Sequence, residues 1–139
     1  MDGGVQPILR RRPFSGRLIQ GDVCGIGLTM EMVEQIDRLG FDYPVRPLPK
    51  NVRRRERGQC YLNASALAAR RCKEFTYVQG LALLEDDGIW RGHGWCIDAE
   101  GYVVDNTWVP AGLRYVGIPV PPEFRKGRWP PAMPPGYQK

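Results

Sequence analysis

The stretch from Gly92 to Trp108 constrains this chain more than any other. Gly92-His93-Gly94-Trp95-Cys96-Ile97 and Tyr102-Val103-Val104-Asp105-Asn106-Thr107-Trp108 flank the turn-forming run Asp98-Ala99-Glu100-Gly101. Aromatic and β-branched residues on either side of such a run read as two strands of a hairpin. Gly101 at the end of the turn predicts a three-residue loop with the glycine in the left-handed region. The loop length then sets the register. With Asp98 opposite Tyr102, His93 faces Thr107, and Asp105 is its diagonal neighbour on the same face, within side-chain reach. A two-residue loop, Ala99-Glu100, shifts the ladder by one and turns Asp105 to the other face. His93 is the sole histidine of the chain, so any imidazole chemistry is built on this hairpin.

Upstream, Gly58-Gln59-Cys60-Tyr61-Leu62-Asn63-Ala64 opens an alanine-rich segment that reads as a helix from Cys60 to about Arg71. A cysteine at a helix start sits beside unpaired backbone N–H groups and the positive end of the helix dipole. Both stabilise an anion, which lowers the pKa of Cys60 and makes its thiolate nucleophilic. The small residues of this helix let it lie close against a sheet. Cys60, His93 and Asp105 together have the composition of a nucleophile, a base and an orienting acid.

The remaining elements are simpler. Thr29 to Gly40 carries Met32, Val33, Ile36 and Leu39 at helical spacing, with Thr29 as N-cap and Gly40 just past the end. Pro44, Pro47 and Pro49 make 41–57 a connector. Glu74–Leu84 reads as a strand bent at Gly80, and Leu113–Ile118 as a further strand. Short strands near Arg17–Gln20 are the only elements suggested in the first 28 residues. Residues 119–139 contain seven prolines and read as an extended tail. The expected fold class is α+β: two helices on an antiparallel sheet of about four strands, with an irregular N-terminal arm. Residues 1–118 form one domain and 119–139 the proline-rich tail.

The 139 residues suffice for one buried core. No apolar run is long enough to span a bilayer. The N-terminus lacks the apolar core of a signal peptide, and the four cysteines form no CxxC pair. Reduced thiols and a cytoplasmic location follow as expectations. The net charge of +5 is concentrated in Arg10–Arg12 and Arg53–Arg57. A solvated surface accounts for both runs; the sharper reading is an anionic partner. Arginines so near Cys60 would line the entrance to a site or help hold a thiolate.

The order Cys60, His93-Gly94-Trp95, then Asp105-Asn106-Thr107-Trp108 resembles the papain-like superfamily, particularly compact transglutaminase-like and NlpC/P60-like members from bacteria and phages. The resemblance covers roughly residues 55–110. It implies a papain-like core and a cysteine hydrolase or acyl-transferase, such as a thiol protease, acting on an amide or related acyl bond of a protein or peptide. Cys60 would be the nucleophile, His93 the base and Asp105 the orienting acid, with no metal or other cofactor. The backbone N–H of Cys60 would form part of an oxyanion hole, with Gln59 or Asn63 adding a side-chain donor. Papain-like peptidases place a glutamine several residues before the cysteine for this purpose. Here that region holds Arg53–Arg55 instead. Trp95 and Trp108 would shield the triad and frame the substrate channel. A phage-encoded chain would act in the host cytoplasm.

Two rival readings use the same residues. In one, the chain is a catalytically inactive papain-like module that binds a host protein or an anionic partner through its basic runs and tail. In the other, zinc is bound by His93 and Cys96 with Cys60 or Cys72, although these spacings match no familiar zinc pattern.

Overall fold

A computed structural model of the chain describes residues 29–124, together with the backbone of two short strands at 12–13 and 23–24. The strands suggested near Arg17–Gln20 lie outside the described residues. The elements run β1 (Arg12–Pro13), β2 (Val23–Cys24), α1 (Met30–Leu39), β3 (Phe41–Tyr43), α2 (Cys60–Arg70), β4 (Thr76–Leu83), β5 (Trp90–Ile97), β6 (Val103–Val104) and β7 (Arg114–Pro119). A 3-10 turn follows at Pro122–Phe124. None of the described helices is long and apolar enough to cross a membrane.

The fold is α+β, with two helices and a curled antiparallel sheet of five strands, β3 to β7. Strands β3, β7, β4 and β5 lie side by side in that order, and β6 pairs with the outer edge of β5. The two short N-terminal strands extend the ends: β1 lies antiparallel to β3, and β2 parallel to β5. The expectation of about four strands missed β3, which lies in the segment read as a connector. Three residues between Gly40 and Pro44 are too few to show a period of two. Pairing with β7 is what makes Phe41–Tyr43 a strand.

Thr29 caps α1 through its side-chain oxygen, which accepts the Met32 N–H at 3.1 Å. Met32 and Ile36 of α1, and Ala64, Leu67 and Ala68 of α2, pack with Tyr77, Leu81, Cys96, Val116 and Ile118 in one core cluster. The opposite face buries Tyr43, Val78, Ala82, Trp95, Val103 and Tyr115 in a second cluster. With both faces covered, β4 is buried along nearly its whole length. That is why its sequence alternates only in part. Past residue 118 the chain stays on the domain: Val120 is buried, and its N–H bonds the Tyr77 carbonyl at 3.1 Å.

Gly80 is where β4 and β7 approach most closely. A Cβ there would lie 2.1 Å from the Val116 carbonyl oxygen and 2.5 Å from the Gly117 Cα. Backbone cannot yield as a flexible side chain does. Gly80→Ala should therefore destabilise the fold by about 3 kcal/mol, the upper end of overpacking costs, measured by urea denaturation. Gly40 answers to the same constraint: its φ is −71°, not left-handed. A Cβ on it would sit 2.5 Å from the Ile36 carbonyl oxygen.

The hairpin register is the one that the three-residue loop demands. Cys96 pairs with Val104 and Ile97 with Val103, so Asp98 falls opposite Tyr102, whose carbonyl accepts the Asp98 N–H at 3.0 Å. Gly101 has φ 87°. The ladder stops at Val104, however, so His93 and Thr107 are not paired across it.

Candidate active site

Where β6 ends, the outer edge of β5 is left open. Strand β2 pairs with residues 90–91 and β6 with 96–97. Between them lies His93-Gly94-Trp95, and here the N-terminus of α2 meets the sheet. His93 and Trp95 point to the face away from the helices, whereas Cys96 points toward α2 and donates its S–H to the Ala64 carbonyl at 3.2 Å. Cys60 reaches His93 around the open edge. Gly94 makes the approach close: a Cβ there would lie 3.0 Å from the Tyr61 ring.

The chain beyond Val104 turns inward and delivers Asp105. Its Oδ2 lies 2.9 Å from His93 Nε2 and accepts the Tyr115 hydroxyl at 2.6 Å. Its Oδ1 accepts the backbone N–H groups of Thr107 and Trp108, each at 3.0 Å. A carboxylate with four donors stays ionised: burial opposes the charge, but His93, Tyr115 and the Trp108 N–H outweigh it and hold the pKa below the usual range. Because Asp105 takes Nε2, the other ring nitrogen is the one left for Cys60.

The sulfur of Cys60 is hydrogen-bonded to His93 and to the backbone N–H of Gly94. Burial pushes the thiol up, yet the imidazole beside it and the Gly94 N–H bring it below the ordinary value. Burial likewise works against a charge on His93, but Asp105 and the Cys60 thiolate push its pKa up to about 10. Both shifts favour a thiolate–imidazolium pair. The first turn of α2 contains no acidic residue, and Gln59 supplies no side-chain cap. The positive end of the helix is thus left facing the sulfur.

Each remaining residue named from the sequence has a place. Gln59 is exposed at the N-cap and lines the cleft in front of Cys60. Asn63 is unsuited to the oxyanion role read for it, since both its amide protons are engaged. Its Nδ2 donates to the Glu56 carbonyl and to Thr107 Oγ1, each at 2.8 Å. Asn63 ties the start of α2 to the loop that carries Asp105, and Asn106 Nδ2 returns a bond to its carbonyl at 3.3 Å. Trp95 does not frame a channel either. It is fully buried behind the imidazole, with ring centroids 6.1 Å apart and planes 21° from parallel. Trp108 lines the cleft, and the Arg57 guanidinium covers its ring at 4.5 Å. The arginines at 53–57 are exposed, and the thiolate is held by His93 and Gly94 rather than by them. The cleft has a volume of about 350 Å³ and is walled by Gly58, Leu62, Leu84, Arg91, Gly92 and Trp108 around the Cys60–His93 pair.

Comparison with known protein families, with curated proteins and with solved structures found no match. The functional reading therefore rests on the geometry of the site. Among the described residues, no group of three or more His, Cys, Asp or Glu side chains is placed to hold a metal ion. The zinc reading also fails on strand geometry, because His93 and Cys96 are on opposite faces of β5.

Sequence reasoning missed Tyr115. Its hydroxyl bridges two parts of the site, accepting the Gly112 N–H at 2.8 Å while donating to Asp105. Burial and the Asp105 charge raise its pKa, so it remains a neutral donor. Only the pairing of β7 with β4 puts it below the carboxylate. Tyr115→Phe removes a bond to a buried charge and orphans a backbone donor. The expected loss is about 2 kcal/mol of stability in urea.

Proposed function

We propose that this chain is a cysteine-nucleophile hydrolase or acyl-transferase acting on an amide or related acyl bond. One observation carries the reading: a buried imidazole lies between an ionised carboxylate and a cysteine at a helix N-terminus. The thiolate of Cys60 attacks a carbonyl carbon seated in the cleft. The carbonyl oxygen takes the negative charge beside the Cys60 N–H, one of the unpaired donors of the first helical turn, with Gln59 as a second donor. His93 gives its proton to the departing amine as the C–N bond breaks, leaving a thioester on Cys60. Water or an amine then attacks the thioester. His93 takes the proton of that nucleophile, and the sulfur leaves as thiolate. Asp105 and Tyr115 hold the imidazole in one orientation through both halves. The order of these elements along the chain resembles the papain-like core, the fold in which this chemistry is proposed to reside.

Competitive alkylation with a thiol reagent tests the reading, with Cys24, Cys72 and Cys96 as internal controls. Cys60 should react fastest near neutral pH. If Cys60 reacts no faster than the other three, the activated-thiolate reading fails.

A further inference from the structure

The cleft has opposite charges at its two ends. On the α2 side, Arg53, Arg54, Arg55 and Arg57 are exposed and lead directly into Gly58 and Gln59, which line the cleft. Two contacts fix this run at the lip: the Arg55 N–H bonds the Asn106 carbonyl at 2.7 Å, and Arg57 lies over Trp108. The guanidinium groups of Arg53, Arg54 and Arg55 make no ion pair or hydrogen bond. On the other side, Leu84 lines the cleft and is followed by exposed Glu85 and Asp86. The neighbouring charges there, Asp87 and Arg91, neutralise each other at 2.9 Å. Between the two lips the walls are apolar, with Leu62 44% exposed at the opening.

We infer that the site accepts an extended polypeptide with a large apolar side chain in the cleft, acidic residues on one flank and none on the other. This inference rests on the reading of Cys60 as nucleophile and narrows its substrate class. The apolar walls select the central side chain. The unpaired arginines attract carboxylates on one flank, and Glu85 and Asp86 repel them on the other, which sets the direction in which the chain lies. A nucleic acid carries uniform negative charge and would bring phosphates against Glu85 and Asp86. A polypeptide of mixed charge avoids that conflict.

Fluorescence anisotropy on the Cys60→Ala protein tests binding apart from chemistry. The probes are two labelled peptides with leucine at the centre, one with glutamates before it and lysines after it, the other reversed. One order should bind about tenfold tighter at low salt, the combined strength expected of three exposed ion pairs. The difference should vanish at high salt and in an Arg53→Ala/Arg54→Ala/Arg55→Ala protein whose melting is unchanged. It should shrink when Glu85 and Asp86 are replaced by Lys. Equal binding of the two orders overturns the inference, as does an oligonucleotide that displaces both peptides. Neither result bears on the nucleophile, which the alkylation experiment tests separately.

Discussion

Iodoacetamide at pH 6 should modify Cys60 about 30–100-fold faster than it modifies the same cysteine in a His93→Ala protein. A thiol of ordinary pKa 9.0 is ionised at pH 6 only to about one part in a thousand. Pairing with the imidazolium removes most of that handicap. The weaker intrinsic nucleophilicity of a stabilised thiolate offsets part of the gain. In His93→Ala the burial that raises the thiol pKa remains, while its main counterweight is gone. Cys72 is exposed and distant from the pair, so its rate should be the same in both proteins. The direction with pH follows from the two shifts. Alkylation needs the thiolate alone, so its rate should fall on acidification and stay level in alkali. Acyl transfer also needs the proton on His93, so it should decline again as pH rises through about 10. Equal rates in the two proteins at pH 6 would remove the imidazole from any role in activating the sulfur.

Asp105→Ala should lower stability by about 3–5 kcal/mol near pH 5.5, the usual cost of stripping one partner from a buried ion pair. The carboxylate is 3% exposed, and its loss leaves the His93 imidazolium uncompensated. It also orphans the Tyr115 hydroxyl and the Thr107 and Trp108 N–H groups. The loss should depend on pH. Asp105 has a depressed pKa, so its contribution is present above the ordinary 3.8 and disappears as pH falls through the lower folded value. His93 has a raised pKa, so its contribution is complete below 6.5 and fades as pH climbs through about 10. Urea denaturation should show wild type and variant furthest apart between about pH 4 and 6.5, and closer on either side. A gap of the same size at pH 5.5 and pH 10 would mean that His93 carries no charge in the folded protein.

Much of this site is visible in the sequence because it is local. Thr29 and the Met32, Ile36 stripe predict α1 by the physics of one helix. Gly101 predicts the hairpin register because a left-handed residue ends only certain loops. The register in turn turns His93 and Asp105 to one face. β3 was not legible because three residues carry no period, and a partner strand makes them extended. Asn63 was misread because its amide protons are claimed by Glu56 and Thr107, and Thr107 is far away in the chain. Trp95 was misplaced because alternation tells which face a side chain takes but not whether that face is open or filled.

The sequence by itself determined the two helices, the hairpin and its register, and the order of a thiol, an imidazole and a carboxyl group, since each depends on residues within a few positions of one another. Only the tertiary structure decided that the ladder ends at Val104, that α2 approaches the edge opened there, and that Tyr115 supports the carboxylate from β7. Those features depend on which strands pair and which faces fill, and such long-range packing leaves no periodic trace in any one segment.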